Sequence, residues 1–478
     1  MPPVADRAPA PTPPDAVPLP SERQSPASTP HRRRSWWRRW IALGGLVLAG
    51  ILTFTLWPVA PTPDAAALPT AGVAALRTGL ARSFLRNGIA ADNINDFPQA
   101  RRSYDMVLDL DPTLAEAYYW RGALQARASA SGDGSADYAR AAALNPPPAT
   151  RLFHEGRLAS IQNRPDEALD LLTQALVINP DHASALFSRA HVQTALGDRA
   201  AAIADFTHAL ELDPTYAAAA YNRGILEAEN GQIAAAIHSY TIALDQSPQF
   251  FYAAYNRGLL YRNQGQLDAA IADYSLVIAT RPDFPTAYEG RGYTYLLQGD
   301  YESAITDLTE GLRLNPRMVP AYCHRAHAYV GIQDYPAALA DANTAVDLLP
   351  GVCAYGTRGD VYYAMRDYDH ATEDYLSAVK LAPSHPIGYF GHGKVAQATR
   401  WYDVALEDYT DALTRDAQMV PPFTYAAQIY EQRGHIYNLQ VRRDLVRADW
   451  ERAVAFYRAQ GQVKKADAVQ RLLDSLPK

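Results

Sequence analysis

A period of 34 residues constrains this chain more than anything else in it. Units start at 81, 115, 149, 183, 217, 251, 285, 319, 352 and 386, each 34 residues long except the eighth, which has 33. Numbering slots from each first residue, slot 8 is glycine or alanine in all ten units, from Gly88 and Gly122 to Gly359 and Gly393. Slot 20 is alanine in nine units and Gly134 in the second. Slot 32 is proline nine times, from Pro112 to Pro383, with Ala417 in the tenth. Small residues at two slots let two helix axes approach closely, and large ones such as Tyr288, Tyr295 and Leu308 fill the space around them. Gly-Asp or Gly-Gln near slots 15–16 marks a turn, and proline cannot continue the second helix. One such hairpin cannot bury its apolar face alone, but stacked neighbours can.

This small-small-proline pattern, recurring ten times in register, resembles the tetratricopeptide repeat family from residue 81 to about 434. The resemblance implies an all-α, right-handed α-solenoid of about ten helix pairs, with the first helices lining a concave groove. A degraded eleventh unit is read from Val420 (Phe423, Ala427, Tyr430, Gly434), running into a charged helical C-terminal cap over 435–478. A solvated cap is the expected end of a solenoid; the alternative is a separate binding helix.

One residue type breaks the apolar pattern. Slot 7, where the family commonly has leucine, is arginine seven times: Arg121, Arg189, Arg223, Arg257, Arg291, Arg325 and Arg358. Six of these units carry aspartate at slot 23: Asp137, Asp205, Asp273, Asp307, Asp341 and Asp374. The exception sets Arg223 against Ser239, and unit ten has His392 with Asp408. Sixteen residues apart across an antiparallel hairpin, the two slots can face each other. The expectation is an ion pair inside each hairpin, fastening its two helices. The alternative is a ladder of cations for an anionic ligand.

The N-terminal part has a different character. Residues 1–30 contain ten prolines and are expected to be disordered, and 1–39 form a Pro-rich then basic tail. Ile41 to Trp57 is free of charge, and 40–60 is expected to form one transmembrane helix, flanked by Trp36, Trp37, Trp40 and Trp57. Arg32, Arg33, Arg34, Arg38 and Arg39 precede the span, so the positive-inside rule puts the N-terminus in the cytoplasm. A linker, 61–80, and the repeats, 81–434, then lie on the extracytoplasmic side. The competing reading is a cleaved export signal, for which the leader is long and Pro61 blocks cleavage after Ala60.

Charge excludes one partner class. The first 40 residues hold seven arginines against Asp6, Asp15 and Glu22, leaving 37 basic and 48 acidic residues in the remainder. An acidic body argues against nucleic acid. Motifs for chemistry are lacking. Residues 388–394, "GYFGHGK", match GxxxxGK, but Val395 follows where a phosphate-binding loop needs Ser or Thr, and the stretch falls inside a helix. No HExxH or CxxC occurs, and no cofactor is expected. Cys323 and Cys353, at slots 5 and 2 of neighbouring units, can pair in an oxidising compartment or remain free thiols.

The groove is the remaining candidate. By resemblance, slots 2, 5, 6, 9, 12 and 13 tend to face it. Slot 5 is aromatic in five successive units: Tyr119, Phe153, Phe187, Tyr221 and Tyr255. Packing between helices is one reading of these rings, and a stripe for an extended peptide is the other. Asn222 and Asn256 hold slot 6 in adjacent units, where an amide can grip a peptide backbone. The family's clamp for a C-terminal carboxylate is not supplied by Phe187 and His191 or by Tyr221 and Ile225. The reading is a membrane-anchored, non-enzymatic adaptor that binds protein or peptide partners in its groove, in cell-envelope assembly or regulation. The alternatives are an activator or subunit of an envelope enzyme acting on wall polymer, and a cytoplasm-facing chaperone or signalling adaptor.

Overall fold

In units three to nine a left-handed residue at slot 15 separates two helices and proline at slot 32 follows the second. In unit six these are Phe251–Asn263 and Leu267–Thr280. Gly265 joins them at φ 73°, and Gly197, Gly231 and Gly299 turn units four, five and seven the same way. Glycine takes this conformation without a Cβ clash. Asn163, Gln333, Arg366 and Arg400 hold the same slot elsewhere, at φ between 57° and 68°. The next residue caps the second helix. Asp96, Asp198, Asp300, Asp334 and Asp367 each accept a hydrogen bond from the backbone N–H three residues on.

The computed structural model describes residues 70–93, 96–128, 134–418, 425–460 and 462–477. These residues form an all-helical solenoid of eleven hairpins and a closing helix, Val463–Asp474. Its interior follows the slots. The slot 20 alanines, such as Ala236, Ala270 and Ala304, are fully buried. The slot 24 ring lies over the slot 8 glycine: a Cβ on Gly359 would stand 2.8 Å from the Tyr375 ring. The same contact recurs at Gly434, where a Cβ would meet Trp450 at 2.5 Å. Val441 follows seven residues later at φ 57°. Both features put the eleventh hairpin in register from Ala427, with helices Ala426–Leu439 and Arg443–Ala459. The expected start at Val420 is therefore seven residues out of register, and the expected boundary at 434 falls inside the first helix of this hairpin.

The expectation of a single-pass membrane protein is corrected. Among the described residues no helix is long and apolar enough to cross a membrane. Only Thr70–Asn93, at 24 residues, has the length, and Arg77, Arg82 and Arg86 are exposed on it. The segment expected to span, 40–60, lies outside the described residues, as does the tail before it. The membrane as a partner, and the placement of the repeats across it, are set aside.

Candidate functional site

The slot 7 arginines come first, because they decide which charges are free. Arg257 Nε and Nη2 donate to Asp273 Oδ2 and Oδ1 at 2.9 and 2.7 Å. Arg121–Asp137, Arg189–Asp205, Arg291–Asp307, Arg325–Asp341 and Arg358–Asp374 repeat this two-pronged geometry at 2.7–2.8 Å. A third prong has no counterpart in the sequence reading. Nη1 reaches back to slot 25 of the preceding unit: Arg257 to Thr241 at 2.8 Å, Arg291 to Ser275 and Arg325 to Thr309 at 2.9 Å. Arg121 reaches Asp105 and Arg358 reaches Asn343 in the same way. Each arginine thus ties its own hairpin and the one before it. The Asp273 hydrogen bond raises the Arg257 pKa against the opposing effect of burial. In unit five, buried Glu227 supplies the missing carboxylate: Ser239 donates to it at 2.6 Å, and Arg223 Nε lies 3.5 Å away. The eleventh hairpin carries the same pair, Arg433 with Asp449.

With those charges consumed, the face formed by the first helices stands out. A cavity of about 570 Å³ opens there between units one and six. Phe187, Tyr221 and Asn222 line it, with Asp92, Arg127 and Arg157. The other expected residues lie elsewhere. Tyr119 and Phe153 are buried at 2% and 1% exposure, and Tyr255 packs on Tyr274 and Phe284, so the aromatic slot is not a continuous stripe. The rings of slot 5 wedge between successive hairpins, which removes most of them from the groove wall. Asn222 donates to the Ala218 carbonyl of its own helix at 2.8 Å, and Asn256 Nδ2 reaches the Tyr221 hydroxyl at 3.4 Å.

The charged residues of the cavity carry its electrostatics. Asp92 is buried; Arg127 Nη2 donates to it at 2.5 Å, and Arg157 Nη2 lies 3.7 Å from it. Burial raises the Asp92 pKa, and the two guanidiniums oppose that rise. The Arg157 guanidinium stacks on Trp120 at 3.7 Å, and its Nη1 finds no hydrogen-bond partner among the described residues. His191 also lines the cavity, and burial pushes its pKa down to about 4, so it is neutral at pH 7. Two cations therefore face one carboxylate in an otherwise aromatic and neutral hollow.

Further along the same face, Asp360 gathers three neighbours. Lys394 Nζ and Tyr375 Oη donate to its Oδ1 at 2.5 and 2.7 Å, and His327 Nε2 lies 3.2 Å from Oδ2. Burial acts to raise the Asp360 pKa, but Lys394 and His327 outweigh it and the carboxyl is held well below the usual range. Lys394 is the lysine of the "GYFGHGK" stretch; it sits in the helix Pro386–Ala398 and is committed to this network. Lys394 and Phe390 also line a second cavity, of about 700 Å³, together with Tyr457 and with Lys465 of the last helix. Arg157, His327, Asp360 and Lys394 all occupy slot 9. Reading that slot down the units would have found them.

Residues 153–352 and 354–385 match as tetratricopeptide repeats. The profile of a family described as tetratricopeptide repeat matches residues 153–217, 188–249, 221–285, 255–319 and 289–352. A second profile of the same description matches 354–385. No curated protein matches the chain. Among solved structures, a tetratricopeptide repeat protein from Parabacteroides merdae is 23% identical, covering 49% of this chain and 93% of its own, at a TM-score of 0.45. YrrB, described as a TPR protein with an unusual peptide-binding site, is 20% identical over 38% of this chain and 95% of its own, at 0.36. The Cut9–Hcn1 hetero-tetramer of the APC/C is 14% identical over 85% of this chain and 94% of the matched chain, at 0.39.

Proposed function

We propose that these repeats form a protein-binding adaptor whose working surface is the face of the first helices, and that the partner enters as an extended peptide. The cavity between units one and six carries this reading. Its volume suits one or two side chains, and its walls supply rings for apolar contact. Arg127 and Arg157 outnumber Asp92, so the segment it favours presents an acidic side chain beside an apolar one. Asn222 and Ser188 on the wall can bond a peptide backbone. The slot 7 arginines do not contribute, because each is held within the hairpins.

A photo-crosslinking residue placed at Ser188, in the cavity wall, is expected to give discrete protein adducts in cells. The same residue at Val177, which is 79% exposed on a second helix, is expected to give none of them. Identical adducts from both positions would remove the groove as the working surface.

A further inference from the structure

The chain has only two cysteines, and they meet. Cys353 Sγ lies 3.5 Å from Cys323 Sγ across the joint between units eight and nine. Cys323 is buried in the first helix of unit eight, Val319–Gly331; Cys353 is exposed at the start of the next first helix, Val352–Ala364. These two helices pack directly on each other. The joint is also where the repeat is one residue short. Gly351 crosses it in extended backbone, at φ −161° and ψ 173°, whereas Met318 and Phe284 precede their helices at φ −82° and −101°. Packing of these two helices sets slot 2 of one unit beside slot 5 of the unit before it.

We propose that Cys323 and Cys353 are a thiol–disulfide exchange site, oxidised by a small-molecule disulfide into a covalent staple between units eight and nine. The exposed Cys353 attacks first as its thiolate. It bonds to one sulfur of the incoming disulfide, the sulfur–sulfur bond of that molecule breaks, and one small thiol leaves carrying a proton. Cys323 then loses its proton and attacks the Cys353 sulfur, and the second small thiol leaves. The two cysteines are oxidised by two electrons in total, and the small disulfide is reduced to two thiols. The surroundings suit this order. The hydrogen bond between the sulfurs favours the Cys353 thiolate and raises the Cys323 pKa, and His327 adds to the first effect. Closing the gap to a bond of about 2.05 Å needs a shift of side-chain scale. The chemistry stands independently of which partner the groove holds.

The test is intact mass and non-reducing electrophoresis of the full chain after incubation with oxidised glutathione. The expected product is a monomer lighter by two hydrogen atoms, with no adduct, returning to the starting mass with reductant. Cys323→Ser is expected to retain one glutathione, because the resolving thiol is missing, and Cys353→Ser to stay unmodified. A wild-type chain that keeps glutathione, links to a second chain or stays reduced overturns the staple. An adduct on Cys353→Ser overturns the order of attack.

Discussion

Arg257 donates to the Thr241 hydroxyl of the preceding hairpin at 2.8 Å, while its other two prongs hold Asp273. The arginine is a joint between hairpins as well as a clasp within one. Removing one partner of a buried pair strands the other, at about 3–5 kcal/mol. Arg257→Leu and Asp273→Leu are each expected to destabilise on that scale, and the double variant to cost clearly less than their sum. Thr241→Val removes a neutral acceptor and is expected to cost about 1 kcal/mol. Repeat arrays open locally, so amide hydrogen exchange across units five to seven is the measurement.

Val441 turns the eleventh hairpin at φ 57° with its side chain 70% exposed. A β-branched residue there is strained by about 1–2 kcal/mol, and an exposed valine loses little packing when removed. Val441→Gly is expected to stabilise the C-terminal hairpin by about 1 kcal/mol, read as slower exchange in the helices Ala426–Leu439 and Arg443–Ala459.

His392 replaces the slot 7 arginine in unit ten, with Nδ1 2.7 Å from Asp408 Oδ2. That hydrogen bond raises its pKa above the ordinary value of 6.5, against the effect of burial. A raised folded-state value means the stabilisation is fully present below the unfolded value and is lost as pH rises through the folded one. Unit ten is expected to lose protection as pH rises above the ordinary histidine value of 6.5 and through the raised folded-state value. His392→Arg is expected to abolish that loss. A pH profile shared by both proteins would remove the pair as its cause.

Much of the scaffold was readable because its signals are local and repeated: small residues at slots 8 and 20, proline at 32. The eleventh hairpin departs from the expected start because seven extra residues shift its register, although Arg433, Gly434 and Trp450 carry the pattern unchanged. The third prong of each arginine leaves no fixed sequence signal, because its acceptor varies among Thr, Ser, Asn and Asp. The groove was the least legible part. Slot 5 aromatics look the same whether wedged in the core, as Phe153 is, or lining a wall, as Tyr221 does. The Asp92–Arg127 contact joins residues 35 apart, a spacing that only the stacking of hairpins brings together.

The central claim is that recognition happens in the hollow between units one and six. The direct measurement is the affinity of a peptide selected from a random library on the full chain, compared across two variants. Ser188→Trp fills the cavity and is expected to weaken binding at least about tenfold, or about 1.4 kcal/mol. Val177→Asp, on an exposed second helix, is expected to leave it unchanged. Unaltered affinity in Ser188→Trp, with loss in Val177→Asp, would contradict the account.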